Sequence, residues 1–301
     1  MWLAKEKAIA PKIDRRSRYM HKLHKISLFL IGFFLILSLS TNWQIASIAQ
    51  NNGSTQLTYY GHAAFKLVTP SGKVLLIDPW LTNPNNPTGE EDLAGLKRVD
   101  FVLVTHGHFD HVGNVVEIAQ STGARLVATD DLRLALAEYS DFPTDLATPK
   151  TSGNFGGTVS LLEGEVKVTF VPAVHSSAIT PLPEGAENIH NGGNPSGLII
   201  TIENSAVIYH TGDTDVFGDM SLISRFHDID AMLVCIGDHA TMNPERAAEA
   251  VKIVNPKVAV PMHYGTFPIL SGTPEEFATA LQQQNVSTQL KVMEVHQTLE
   301  L

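Results

Sequence analysis

The stretch Asp100-Phe101-Val102-Leu103-Val104-Thr105-His106-Gly107-His108-Phe109-Asp110-His111 decides how the rest of the 301-residue chain is read. Its first half is an apolar run of strand length, the pattern of a strand buried on both faces. Its second half sets His106, His108, Asp110 and His111 within six residues. A strand ending in such a cluster delivers imidazole nitrogens and a carboxylate into one small volume at a sheet's rim, where they can converge on cations. A pair of surface His would need no metal. Two His flanking a Gly, with Asp-His following directly behind a buried strand, are hard to explain as decoration. The sequence therefore predicts a metalloenzyme.

Three further ligand-type residues close apolar runs in the same way. His175 follows Val166-Lys167-Val168-Thr169-Phe170-Val171-Pro172, Asp213 follows Ala206-Val207-Ile208-Tyr209-His210, and His263 follows Lys257-Val258-Ala259-Val260-Pro261. The order HxHxDH, a lone His, an Asp in Gly212-Asp213-Thr214-Asp215 and a last lone His resembles the metallo-β-lactamase superfamily. Tyr60-Gly61-His62, Leu76-Ile77-Asp78-Pro79 and Pro261-Met262-His263-Tyr264-Gly265 are similar to bacterial metal-dependent hydrolases that group with phosphorylated-ascorbate lactonases and N-acyl-phosphatidylethanolamine phospholipases. The resemblance spans about residues 56 to 296.

That resemblance implies an α/β fold, a four-layer αββα sandwich, with two divalent metal ions. His106, His108 and His175 would hold the first; Asp110, His111 and His263 would hold the second, with Asp213 bridging. Three imidazoles suit Zn²⁺, and mixed imidazole and carboxylate ligation also accepts Mn²⁺ or Fe. A metal pair about 3.5–4 Å apart lowers the pKa of bridging water towards about 7, which implies hydrolysis by a metal-bound hydroxide, with Asp110 as the catalytic carboxylate. Asp78 is the expected support for a ligating His, since such a His donates its other N–H to a carboxylate or carbonyl; before Pro79 it also reads as a turn residue. His62 and His239 resemble positions near the pocket.

Two departures narrow the chemistry. The antibiotic-destroying branch places a Cys thiolate on its second metal, whereas the one cysteine here, Cys235, sits inside the apolar run Ala231–Ile236 and reads as a small buried hydrophobe. Redox diiron members tend to carry Glu where this chain has His108. Ser176 and Ser177 follow His175, but that His is needed as a ligand, so no serine nucleophile is expected.

The coarse element order places strands near 56–60, 63–69, 73–78 and 100–105, a helix near 111–121, a strand near 124–129 and a helix near 131–139. Strands near 158–162, 165–171, 197–203, 205–210 and 229–236 follow. Helix 244–254, strand 257–261, helix 274–283 and a last strand near 290–295 complete it. Asn243-Pro244-Glu245 is a helix start: an N-cap, a Pro at the first position and an acid in the first turn. Loops 81–95 and 179–196 are polar and flank the ligands, so substrate contact is expected there.

Residues 1–25 carry eight Lys and Arg against Glu6 and Asp14, and the apolar block 26–39 and Ser47-Ile48-Ala49 follow. This is the pattern of a secretory signal cleaved before Gln50; uncleaved, it would be a membrane anchor with Trp43 at the interface. Residues 50–301 form the expected hydrolase domain. They keep 13 basic against 29 acidic residues, a formal net of −16. That surface disfavours nucleic acid, whose phosphates need clustered Lys and Arg. A single cysteine forms no intramolecular disulfide. The partner is then a small-molecule or lipid substrate, with oligomeric state left open. Three readings stand: an exported binuclear hydrolase of an ester, lactone or phosphodiester; a membrane-associated phospholipase-like phosphodiesterase; and a non-catalytic metal-binding protein.

Overall fold

Alternation along the strands creates two apolar faces, and the layers follow from where those faces go. A computed structural model of the chain describes residues 53–179 and 189–301. The strands are β1 (Gln56–Tyr59), β2 (Phe65–Val68), β3 (Val74–Ile77), β4 (Phe101–Leu103), β5 (Arg125–Thr129), β6 (Ser152–Gly153), β7 (Thr158–Leu161) and β8 (Val166–Pro172). They continue as β9 (Ala178–Ile179), β10 (His190–Asn191), β11 (Ser196–Ile202), β12 (Val207–His210), β13 (Ala231–Cys235), β14 (Val258–Met262), β15 (Gln289–Leu290) and β16 (Thr298–Glu300). One sheet runs β16-β1-β2-β3-β4-β5-β6 and the other β15-β14-β13-β12-β11-β8-β7, with β9 and β10 as a separate ribbon. Each sheet is mixed: β1 to β3 and β7, β8, β11 and β12 pair antiparallel, while β3 to β6 and β12 to β15 pair parallel.

Leu75 and Ile77 of β3 and Phe101 and Leu103 of β4 enter a core shared with Val166, Val168, Phe170, Leu198 and Ile200 of the other sheet. Their neighbours Leu76 and Val102 point the opposite way. There they meet helices α1 (Gly89–Ala94), α2 (Phe109–Val112), α3 (Val115–Thr122) and α4 (Asp130–Tyr139), which contribute Leu93, Val112, Val115, Ile118, Leu132 and Leu136. Beyond α5 (Ser221–Phe226), the helices α6 (Pro244–Val254) and α7 (Pro274–Gln283) add Ala247, Ala248, Val251, Phe277 and Leu281 to the second sheet's core. Burying each large apolar side chain contributes about 1.5–3 kcal/mol. The result is the expected αββα sandwich.

Local chemistry fixes the two C-terminal helices at their predicted bounds. The Asn243 side chain accepts a hydrogen bond from Arg246 N at 2.9 Å ahead of Pro244. Thr273 and Glu276 close a capping box around Pro274. Elsewhere the prediction is corrected. The helix expected over 111–121 is broken into α2 and α3, because Asn114 leaves the helical conformation, donating its N–H to Pro79 O (3.0 Å) and accepting at Oδ1 from Thr82 N (3.1 Å). The last strand expected at 290–295 is instead the short β15 and the later β16, with a turn at His296 (φ 68°) whose N–H donates to Tyr59 O. The loop 81–95 contains α1, and α5 was not foreseen.

On β14, Ala259 O accepts from Lys291 N on the β15 side, while Met262 O accepts from Ile236 N on the β13 side, and Pro261 stands opposite Val234. Among the described residues no helix is long and apolar enough to cross a membrane. The leader at 1–49 and positions 180–188 of the loop 179–196 lie outside the described residues.

Candidate metal centre

Parallel strands β3, β4, β12 and β14 leave their sheets at one rim, and the seven ligand-type residues collect there. His106, His108, His175 and Asp213 bring one ligand atom each within 4.8 Å of one another; His62, Asp110, His111 and His263 do the same. In the first group His108 Nδ1 lies 3.0 Å from His106 Nε2 and 3.2 Å from His175 Nε2. Asp213 Oδ2 is 3.6 Å from His175 Nε2 and 3.9 Å from His106 Nε2. Asp213 also reaches the second group: Oδ1 is 3.2 Å from His111 Nε2 and Oδ2 is 3.1 Å from His263 Nε2. Asp110 Oδ2 stands 3.1 Å from His62 Nε2 and 3.5 Å from His263 Nε2.

These residues fit divalent cations on grounds of their own chemistry. Burial holds His106, His108 and His175 below the ordinary imidazole value, so three neutral rings turn nitrogen towards nitrogen. Facing lone pairs repel unless a proton or a cation lies between them. His111 Nε2, His263 Nδ1 and Nε2, and Asp213 Oδ1 are buried with no partner in hydrogen-bonding geometry, despite the short approaches to Asp213. Such orphaned groups are costly unless something else satisfies them. Burial alone would raise Asp110 and Asp213, but His111 for the first and His263 with His111 for the second outweigh it and hold both far below the usual carboxylate range. Burial would likewise lower His111 and His263, yet Asp213, joined by Asp78 and Asp110 for His111, pushes His111 well up and His263 to about 9. The carboxylates thus demand positive charge where those two rings stand, a demand that cations meet.

Asp78 lies where a support for a ligand is needed. Its Oδ1 accepts from Thr105 N (2.8 Å), and its Oδ2 accepts from Thr105 Oγ1 (2.7 Å) and lies 2.7 Å from His111 Nδ1. The opposite nitrogen of His111 therefore faces the cluster. Asp78 also has the left-handed backbone of a turn residue, with φ 43°. His62 and His263 share this left-handed backbone, at φ 54° and 58°. Each such residue costs about 1–2 kcal/mol, a strain that surrounding structure must hold. Part of that hold is visible: His263 N donates to His62 O at 2.8 Å, and a Cβ on Gly237 would collide with His263 O, so only glycine lets the two strand exits meet.

The two remaining candidates separate. His62 is fully buried, packs on the His263 ring at 3.9 Å and joins the second group. His239 is exposed in the turn after β13 and joins neither group. Burial pushes the Cys235 thiol up to about 11; it donates to Thr214 O and is no thiolate. Sequence reading did not foresee the parts played by Thr105, Thr266 and Ser177. Thr266 Oγ1 lies 2.8 Å from His62 Nδ1, and Ser177 Oγ accepts from Gly107 N at 3.1 Å. No local pattern marks them, because each acts on a partner brought close by the tertiary fold.

Two mixed sheets in αββα order, with His and Asp side chains gathered at their strand ends, define the class of metallo-β-lactamase-fold proteins. The Beta-lactamase superfamily domain matches residues 73–264. A UPF0173 metal-dependent hydrolase of Thermodesulfovibrio yellowstonii is 51% identical over 249 residues, spanning 83% of this chain and 93% of that protein. Another, of Archaeoglobus fulgidus, is 41% identical over 247 residues, spanning 81% and 98%. Among solved structures, Igni18, a metallo hydrolase from the hyperthermophilic archaeon Ignicoccus hospitalis, matches with a TM-score of 0.70 at 34% identity, covering 82% of this chain and 98% of that one. The chain belongs to the metallo-β-lactamase superfamily, as one of its metal-dependent hydrolases.

Proposed function

We propose that the chain is an exported, binuclear hydrolase that cleaves an ester, lactone or phosphodiester bond. The observation that carries this reading is Asp213, whose carboxylate stands within 4 Å of four imidazoles from two adjacent ligand groups, some of them orphaned. His106, His108 and His175 would hold one cation and Asp110, His111 and His263 the other, with Asp213 between them; Zn²⁺ suits the donor set best, and Mn²⁺ or Fe also fit. When bound, such a pair supplies Lewis acidity and acidified water. The chain's own residues orient that chemistry. Asp78 fixes the His111 tautomer through Nδ1. His62 Nε2 holds Asp110 Oδ2 and keeps that carboxylate, 13% exposed, ionised and oriented beside the reacting bond. Ser176 Oγ lies 3.4 Å from His108 Nε2, a nitrogen on the far side of that ring from its cluster-facing Nδ1, and has no free base beside it.

Export rests on the basic, apolar and small-residue succession of residues 1–49. Fractionation should find a chain beginning near Gln50 outside the cytoplasm or the intact chain in the membrane; a soluble cytoplasmic protein retaining its leader would refute export. For the chemistry, elemental analysis should give about two cations per chain, fewer in His263→Ala and Asp213→Ala. A panel of lactone, thioester, phosphodiester and phospholipid substrates should show turnover that chelation abolishes and Zn²⁺ or Mn²⁺ restores. Unchanged stoichiometry in both variants, or a trapped acyl- or phosphoryl-serine, would overturn the reading.

A further inference from the structure

Beside the second ligand group stands a cluster of aromatic rings that the core does not absorb. Trp80 follows Asp78-Pro79 directly, and its indole lies flush on Gly113, where any Cβ would collide with it. Phe267 stacks on the indole at 5.9 Å with planes 22° apart, and Phe109 meets it edge-on at 5.5 Å. Phe109 and Phe267 close the triangle at 6.2 Å. The cluster is continuous with the candidate metal centre. His62, whose Nε2 touches Asp110, is edge-on to Trp80 at 5.4 Å and to Phe267 at 6.3 Å, and Phe109 immediately precedes Asp110.

Burial would be the ordinary fate of such rings. Instead Phe109 is 42% exposed, Ile269 just beyond is 53% exposed, and Trp80 and Phe267 are half-buried. An apolar surface beside a polar, cation-ready cluster is the usual composition of a ligand site: polar groups act on the bond and apolar groups seat the rest of the ligand. The spacing is suitable too. His62 Nε2 is 3.1 Å from Asp110 Oδ2 and its ring centroid lies 5.4 Å from that of Trp80, so a few carbon–carbon bonds span from Asp110 to the rings.

We propose that Trp80, Phe109 and Phe267 form the subsite for an apolar acyl or aryl group of the substrate, next to the bond that is cleaved. This rests on the hydrolase reading above and narrows its substrate class to molecules bearing such a group. The aromatic faces supply both area and edge or face contacts to a chain or ring lying against them.

Trp80 supplies its own reporter. The chain has three tryptophans, Trp2, Trp43 and Trp80, so the full-length protein carrying Trp2→Phe and Trp43→Phe emits from Trp80 alone. Titration of the metal-loaded protein with octanoate or phenylacetate should shift that emission at concentrations where acetate does not. Phe267→Ala should weaken octanoate about tenfold or more. In a 4-nitrophenyl ester series, kcat/KM should rise from acetate to octanoate, and Phe109→Ala and Phe267→Ala should flatten the rise, the loss growing with chain length. Phe109 is exposed enough to be truncated without threatening the fold, which a melting curve checks. An emission indifferent to octanoate, or a chain-length profile unchanged in both variants, overturns the subsite. If octanoate binds at Trp80 while no ester is hydrolysed, the ester assignment fails and the subsite stands; hydrolysis without chain-length preference has the opposite meaning.

Discussion

The ligand group around His111 and the group around His106 share Asp213, but only the former is enclosed. His62, His111 and His263 are buried, and behind them stand Asp78 and Thr266; two of the three rings hang from left-handed backbone. In the other group His106 is buried against Thr105, while His108 and His175 are half-buried and next to Ser176. One group is fastened by groups that reach it from strand ends far apart in sequence. The other takes His106 and His108 from the end of β4, and its His108 and His175 keep part of their surface exposed. The enclosed group is thereby part of the interior, while the other reaches the surface.

That contrast breaks most visibly if ligands from the two groups are removed in turn. His111→Ala leaves the buried Asp78 carboxylate with its Thr105 hydrogen bonds but no cationic partner, and loss of one partner of a buried pair costs about 3–5 kcal/mol. His175→Ala should cost under about 1 kcal/mol, as an intermediate surface position does, while still removing a cation. Urea unfolding of the two variants measures the difference; equal losses would erase the distinction. A subtler probe is Asp78→Asn, which keeps the shape of the side chain. It should weaken cation affinity at the enclosed group by roughly 10–100-fold and leave the open group within a few-fold, read by Zn²⁺ titration against a competing chelator.

Chelation sharpens the comparison in time. Cations should leave in two phases, the open group's first, and the melting temperature should fall mainly with the second phase, because a ligand stabilises the state it binds. A single phase with a single drop in melting temperature would mean that the two groups act as one. The smallest effects belong to residues beside the cluster that take no part in it. Ser176→Ala should change kcat/KM by less than about threefold. Cys235, with its thiol pushed up to about 11, should resist iodoacetamide at pH 8 until the protein is unfolded.

How far all this was legible depended on whether the deciding interactions are local. Asn243-Pro244 and Thr273-Pro274 carry their own caps, so α6 and α7 appear in the sequence with their true ends. The seven ligand-type residues stood out because four crowd directly behind one apolar run and the other three each follow one of their own. The break between α2 and α3 was not, since Asn114 leaves the helix for partners at Pro79 and Thr82, more than thirty residues away. β16 was missed for the same reason: it pairs with β1 across the length of the chain. His62 and His239 look alike in sequence, each in a turn at positive φ, and only the fold buries one and exposes the other.

The strand that delivers His263 has a further property. Along β14 the carbonyl of Ala259 faces β15 and that of Met262 faces β13, so by strand alternation the ring nitrogen of Pro261 falls on the β15 side. β15 ends at Leu290, before it reaches that level. Beyond the end of β15, the backbone of β14 therefore offers no N–H on that side at Pro261. A strand continuing past β15 would forgo a ladder hydrogen bond at this position, which disfavours lengthening the sheet towards the outlet of the His263 loop.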